Sequence, residues 1–335
     1  MIPHNKPTLG KEEEIAALRV LRTGQLSNGD EVKKFENEFC EFLELPEGHA
    51  VGVSSGSSAL FLAMKILFNK KETITIPGYV CSALRNAIEL MKCDIDFLDI
   101  KKNSPNIDEK VIRENSNPKI IPHMYGIPVN IPKLRNGTII EDCSHAIGAK
   151  DNDKFVGTIG EIGIFSFYVT KLMTSGGQGG MFISKNHEFV DAARDYREFD
   201  MRKDSEKRFN FQMTDLQAAI GREQLKKLPS FLKRREEIFN LYKKNGLILL
   251  DTDDKTHHPV RYRAIIKTQN PSETIQSLKS AGISSIIPTE DWEILGPRDL
   301  FPNSLKLSRE TVSIPVYPSL KNSEIDLILS TLMKK

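Results

Sequence analysis

The 335-residue chain reads as an α/β protein, with a large domain on a mostly parallel sheet flanked by helices and then a small α+β domain. Three observations predict this. Short apolar runs alternate with helical stretches through the first half of the chain, the pattern of strands buried between two helical layers. A capping-box pattern, Thr214-Asp215-Leu216-Gln217, opens a long helix. Beyond Gly246 the texture changes to shorter strands and helices, in a chain too long for one ordinary compact unit.

Residues 12–21 and 31–43 carry apolar side chains at helical spacing and are separated by the turn-rich stretch 23–30, which predicts two opening helices. Residues 50–53 form a short strand, Ser54-Ser55-Gly56-Ser57-Ser58 a small-residue turn, and 59–68 a helix. Strands are expected at 73–77, 94–100, 119–123, 138–142, 162–167 and 181–184, separated in places by helices such as 82–91. The helix opened by Thr214 runs through Leu228 toward Tyr242 and leads out of the large domain, so the domains divide as 1–228 and 229–335. In the second, strands are expected at 247–250, 262–268, 283–287 and 312–316, with helices near 272–281 and 323–333. No internal repeat or low-complexity tract interrupts the chain.

The formal net charge is +2 with basic residues scattered, which argues against nucleic acid and anionic membranes as partners. The first residues contain no apolar signal core and no apolar run reaches the length of a membrane span, so a cytoplasmic protein is expected. Cys40, Cys81, Cys93 and Cys143 have neither CxxC pairing nor histidines at zinc-ligand intervals, which predicts free thiols in a reducing compartment and no metal. His257-His258 would point to opposite faces of a strand and so could not both ligate one ion. Lys226-Lys227 and Lys233-Arg234-Arg235 are interleaved with Glu223, Glu236 and Glu237, the composition of a solvated helix face.

Chemistry concentrates at Lys171. It ends the run Gly163-Ile164-Phe165-Ser166-Phe167-Tyr168-Val169-Thr170-Lys171 and precedes the glycine-rich Ser175-Gly176-Gly177-Gln178-Gly179-Gly180. Burial penalises a charged ammonium, so a desolvated lysine beside a ligand offers a free amine for Schiff-base chemistry; a surface lysine at a strand end is the alternative. Ser55-Gly56-Ser57-Ser58, between strand and helix, can hold a phosphate on helix N-terminal amides or can simply cap the helix. Asp142 closes an apolar strand, where open α/β sheets bind ligands, and can pair with a protonated ring nitrogen or cap the stretch Ser144-His145-Ala146. His145, three residues on, can donate to a phenolic oxygen or serve structure.

Read in chain order, these pieces resemble the DegT/StrS family of pyridoxal-phosphate-dependent sugar aminotransferases, of fold type I. The resemblance runs through Ile2-Pro3, Ser27-Asn28-Gly29, Ser55-Gly56-Ser57-Ser58-Ala59-Leu60, Ile76-Pro77, His123-Met124-Tyr125-Gly126 and Glu141-Asp142. It continues in Phe165-Ser166-Phe167, Thr170-Lys171, Gly176-Gly177-Gln178-Gly179-Gly180 and the stretch from Asn210 to Ala219. It implies a sheet of the seven-stranded type and pyridoxal or pyridoxamine phosphate as cofactor. By the same resemblance Lys171 would hold the cofactor as a Schiff base and shuttle the substrate proton, and Asp142 would face the pyridine nitrogen. Gly56, Ser57 and Ser166 would bind the phosphate, and His145 would stand near the phenolic oxygen, where many members have glutamine. Asn210 would reach the phosphate of a neighbouring subunit's cofactor, which implies a homodimer with shared sites.

The departures bear on substrate. Cys81 stands where the family often places an aromatic against the cofactor ring, and Tyr79 is the nearby aromatic residue; a sulfur packed on the ring, or a small buried side chain, are the alternatives. Leu172 replaces a common asparagine and Gln212 a common arginine, and Pro288 to Glu293 lacks the tyrosine- and histidine-containing pattern of members that bind nucleotide-linked sugars. The expected reaction moves an amino group from an amino-acid donor, glutamate, to a keto-sugar in surface-polysaccharide or secondary-metabolite synthesis. A sugar dehydratase is the second reading, although that branch carries histidine at the position of Lys171; an inactive cofactor-binding homologue is the third.

Overall fold

A computed structural model describes residues 1–134 and 136–333. The chain opens with α1 (Lys11–Thr23) and α2 (Asp30–Phe42), then β1 (Ala50–Val53), α3 (Gly56–Leu67), β2 (Thr73–Pro77), α4 (Ala83–Leu90), β3 (Asp94–Leu98), α5 (Glu109–Arg113), β4 (Lys119–Pro122) and β5 (Ile139–Asp142). The short β6 (Lys150–Asp151) and β7 (Lys154–Phe155) lead to β8 (Ile162–Ser166), β9 (Gly180–Ile183), α6 (His187–Arg197) and α7 (Asp215–Lys244). The remainder is β10 (His257–His258), β11 (Ala264–Lys267), α8 (Pro271–Ser280), α9 (Pro302–Arg309), β12 (Thr311–Ile314) and α10 (Asn322–Met333).

Seven strands form one sheet in the order β1-β9-β8-β5-β4-β2-β3. Only β9 runs against the others, pairing antiparallel with β8 and β1. The parallel strands therefore end on one side, where the loops after β1, β2, β4, β5 and β8 converge. On one face Phe39 of α2 packs edge-on to Phe165 and Phe167 and Phe35 packs at a tilt against Phe167, with ring centroids 5.0–5.6 Å apart. Asp215 accepts from the amides of Gly29 and Val32 (2.9 and 3.1 Å), so the first turn of α7 caps α2.

A second core gathers Ile2, Ile238, Phe239 and Tyr242 with Ala264, Ile266, Val312, Ile314, Ile325 and Ile328. Its antiparallel pair β11–β12 is shorter than expected, and the stretches 247–250 and 283–287 are not strands. Each meets its neighbours only through isolated bridges, Leu249 with Ile266, Ile283 with Ile2 and Ile286 with Ser313. Leu249, Leu250 and Ile283 are buried, but Ile248 and Ile286 are exposed, and no ladder continues past a single pair. Three helices, α5, α6 and α9, were not anticipated; α5 has only five residues. α6 has five charged residues among its eleven and buries only Val190, Ala193, Tyr196 and Arg197, whose spacing is helical, and α9 has eight residues.

Arg235 corrects the solvated-face reading of the basic stretch in α7. Lys226 and Arg234 do pair with neighbouring glutamates, but Arg235 is 2% exposed and points into the protein. His257 and His258 diverge as the strand geometry requires, with side chains 6% and 60% exposed.

Candidate active site

The strand ends enclose a cavity of about 260 Å³. Seven residues singled out in the sequence line it: Gly56, Ser57, Cys81, Asp142, His145, Ser166 and Lys171. One wall is the N-terminus of α3, where Ser55 caps the helix by accepting from the Ser58 amide at 3.1 Å. Ser57 is exposed to the cavity, and the helix amides give this wall a partial positive charge. Gly56 is required by proximity: a Cβ there would lie 2.8 Å from the Cβ of Ser166.

Asp142 is buried at the end of β5, and its Oδ1 accepts from the Ser144 amide at 2.9 Å. Behind it, Glu141 accepts from the amides of Gly157, Ile159 and Gly160 and from His123 Nε2 at 2.9 Å, while His123 Nδ1 accepts from the Val129 amide. Glu141, fully buried, is held below the usual carboxylate range: burial alone would raise it, but His123 and the amides outweigh that cost. His123, Glu141 and Cys143 lie close together, yet both ring nitrogens of His123 are engaged and Glu141 accepts from four donors, so their geometry is that of a strut beneath Asp142.

Lys171 is half-buried rather than enclosed. Its amide donates to Tyr168 O at 2.8 Å, and the next loop is stapled by Thr174 and Ser175, whose hydroxyls reach Phe167 O (3.2 Å) and Gln178 O (2.6 Å). Gly177, at φ 129°, makes the tight return that side chains rarely allow. Lys171 Nζ stands 5.5 Å from the ring centroid of Tyr262. Burial alone would raise the Tyr262 phenol, but Lys171, Arg263 and a hydrogen bond with Thr170 bring it below the ordinary value. His145 stacks on the same ring (4.1 Å, 13°) and lies parallel to Tyr125 (6.1 Å, 11°). Burial first, then the charges of Lys171 and Arg263, hold its imidazole well below the usual histidine range, so it is neutral at pH 7.

Cys81 opens onto the cavity, and burial followed by the nearby Asp142 pushes its thiol up. Tyr79 stands behind the wall, wholly buried, its hydroxyl accepting from Tyr125 at 3.1 Å while Tyr125 also meets Thr289 at 3.1 Å. Asn210 is exposed outside the cavity, where its side chain accepts from the Gln212 amide. Sequence reasoning passed over Tyr262, Arg263 and Tyr168. The basic-aromatic-basic run Arg261-Tyr262-Arg263 just before an apolar strand was the available signal.

The donor set fits pyridoxal phosphate: an amide-lined helix N-terminus for its phosphate, a buried carboxylate for its ring nitrogen and an amine lining the same cavity. A family model described as the DegT/DnrJ/EryC1/StrS aminotransferase family matches residues 7–333. The GDP-perosamine synthase of Escherichia coli O157:H7 is 28% identical, with 99% of this chain and 97% of that protein covered. A UDP-4-amino-4,6-dideoxy-N-acetyl-beta-L-altrosamine transaminase of Campylobacter jejuni (strain 81-176) is 31% identical over 73% of this chain and 69% of its own. Among solved structures, S. venezuelae DesV in complex with a ketimine intermediate superposes with a TM-score of 0.90 at 24% identity, covering 97% of this chain and 94% of that one.

Proposed function

The chain belongs to the DegT/DnrJ/EryC1/StrS aminotransferase family, and on that premise we propose that it aminates a nucleotide-linked keto-sugar, with glutamate as donor, for polysaccharide or secondary-metabolite synthesis. It is a pyridoxal-phosphate-dependent aminotransferase. The nucleotide-linked acceptor is supported by relatives named as GDP-, UDP- and dTDP-sugar enzymes.

When bound, the cofactor supplies a cationic pyridine that withdraws electrons from the substrate carbon. The observation that carries the assignment is the convergence of Lys171, Asp142 and the α3 N-terminus on one cavity. In this reading Lys171 Nζ anchors the cofactor, then takes and returns the proton at the amine-bearing carbon. Asp142 keeps the ring nitrogen protonated, and Gly56, Ser57 and Ser166 grip the phosphate. His145, neutral, donates toward the phenolic oxygen. Cys81 lies against the ring face, and Tyr79 acts from behind by fixing Tyr125 beneath His145.

Asn210, exposed and outside its own cavity, serves a second copy of the chain, and the enzyme works as a homodimer of protomers divided at 228/229. Its cysteines are free, Cys40 and Cys143 deep in the core, which supports a cytoplasmic setting. Holoprotein mixed with glutamate should release 2-oxoglutarate, and its pyridoxamine form should aminate one of a panel of nucleotide-linked keto-sugars. Borohydride reduction and peptide mapping should place the pyridoxyl tag on Lys171. A tag elsewhere, or no response to any amino donor, would overturn the reading, and sedimentation of Asn210→Ala should separate dimerisation from site sharing.

A further inference from the structure

One aromatic residue outside the cavity holds two residues that line it. Tyr262 is buried two positions before β11 and does not face the cavity, whereas His145 and Lys171 do. The imidazole of His145 is held on its flat faces. Tyr262 stacks on it closely, at 4.1 Å and 13°, and Tyr125 lies parallel but farther away, at 6.1 Å and 11°. The second contact is made one residue from the reactive amine. The Tyr262 phenol is hydrogen-bonded to Thr170, and Lys171 follows directly, its Nζ over the same ring at 5.5 Å from the centroid.

Tyr262 is itself braced from the second core. Its carbonyl accepts from the buried Arg235 Nη1 at 3.3 Å, and the guanidinium carbon of Arg263 lies 5.2 Å from its ring centroid. Arg263 Nη1 is turned away toward His4 Nε2 (3.2 Å) and Ser313 Oγ (3.4 Å). Both arginines face a separate small space that they share with His4 and Tyr262, so they support the ring rather than reach into the cavity. A rigid ring with two chemically different contacts can thus set the plane of one neighbour and the anchorage of the other, and an effect on the reaction would pass through His145 and Lys171 alone.

We propose that Tyr262 is a positioning residue for the transamination, its ring fixing the plane of His145 and its hydroxyl, through Thr170, the place of Lys171. The proposal rests on the aminotransferase reading and adds to it a residue that acts only through two others. No bond is made or broken at Tyr262. Because the face of an aromatic ring attracts a cation above it, the same ring favours the protonated form of the nitrogen that Lys171 carries.

Two readouts on the holoprotein test this: the pH midpoint of its cofactor absorbance without substrate, and the limiting rate and half-saturation of a single turnover with glutamate. Tyr262→Phe keeps the ring and loses the tether, so its limiting rate should fall about two- to tenfold, the span of one net hydrogen bond, with the pH midpoint unmoved. Tyr262→Leu loses the ring as well. Its limiting rate should fall about a hundredfold, as for a displacement of about 1 Å, while half-saturation stays within about twofold. Its pH midpoint should drop by about half a unit, the loss of one contact between a cation and a ring. Should Tyr262→Leu fail to fold, the rate of Tyr262→Phe decides. A limiting rate unchanged in Tyr262→Phe, a Tyr262→Leu rate or midpoint equal to that of Tyr262→Phe, or a lowered melting temperature with both readouts unaltered would each overturn the proposal. If the unaltered holoprotein answers to no amino donor the parent reading fails, while the pH midpoint still tests the ring.

Discussion

Around α2, arginines meet carboxylates; beside Tyr262, Arg235 and Arg263 meet none among the described residues. Arg197 pairs with Glu36, which also accepts from the Gly52 amide at 2.7 Å, and Arg222 binds Glu31 and Glu38. Those pairs tie β1, α2, α6 and α7 into one unit. Arg235 and Arg263, by contrast, face carbonyls, a hydroxyl and a neutral imidazole. A buried ion pair contributes little net stability but is costly to break, whereas an unneutralised cation is tolerated where a ligand completes it. Missing counter-charge, rather than the presence of arginine, separates the surroundings of Tyr262 from the scaffold.

The largest effect should come from removing the amine that faces the unneutralised side. Lys171→Ala should lower 2-oxoglutarate release about ten-thousandfold with an unchanged melting temperature; a rate within tenfold of the parent would dissolve the contrast by making the site indifferent to its central amine. On the scaffold side, Arg197→Met leaves Glu36 buried without its cation. Urea unfolding should show a loss of about 3–5 kcal/mol, while refolded holoprotein keeps its cofactor absorbance.

Acid should separate the two regions by where their stability fades. His4 and His145 are neutral in the fold but protonate below about 6.5 when unfolded, so their contribution is complete above that pH and lost as pH falls, at about 1.4 kcal/mol per pH unit for each. For His4 the loss levels off near pH 3. Glu31, held at about 2 by Arg19 and Arg222, contributes fully above its unfolded value of 4.5 and fades only below it. His4→Gln should therefore flatten the slope throughout pH 6.5 to about 3 in urea titrations and leave in place the carboxylate contribution that sets in below 4.5. The smallest change is Cys81→Tyr, which should tighten cofactor binding by about 0.5–1.5 kcal/mol if that position faces the ring. Unaltered cofactor affinity in fluorescence titration would move Cys81 off the ring.

The scaffold was more legible in the sequence than the completed site. Apolar runs ending in Asp142 and Ser166 marked strand ends, and parallel pairing of β5 with β8, with Asp142 opposite Ile164, then placed them side by side. The small turn at Ser54 to Ser58 could be read because one chain segment contains most of the cradle, with Ser166 added from the end of β8. Tyr262 and Arg263 could not, because only tertiary packing brings them 91 and 92 residues along the chain from Lys171 to its side. The misreading of Arg235 has the same origin. Its glutamate neighbours in sequence suggested solvent, while the second core turned that one side of α7 inward.

That helix has a mechanical consequence. α7 spans 30 residues, about 45 Å of rise. Near its foot Gln217 donates to Gln178 O at 3.0 Å in the glycine loop after Lys171, and its far turns lie in the second core through Ile238, Phe239 and Tyr242. Pro229 sits near the middle, where an α-helix loses one backbone hydrogen bond. The element is thus a lever with its fulcrum at mid-length: a flexure of ~10° at Pro229 would sweep either end through about 4 Å, about the width of a methyl group, and would do so without melting a single turn elsewhere.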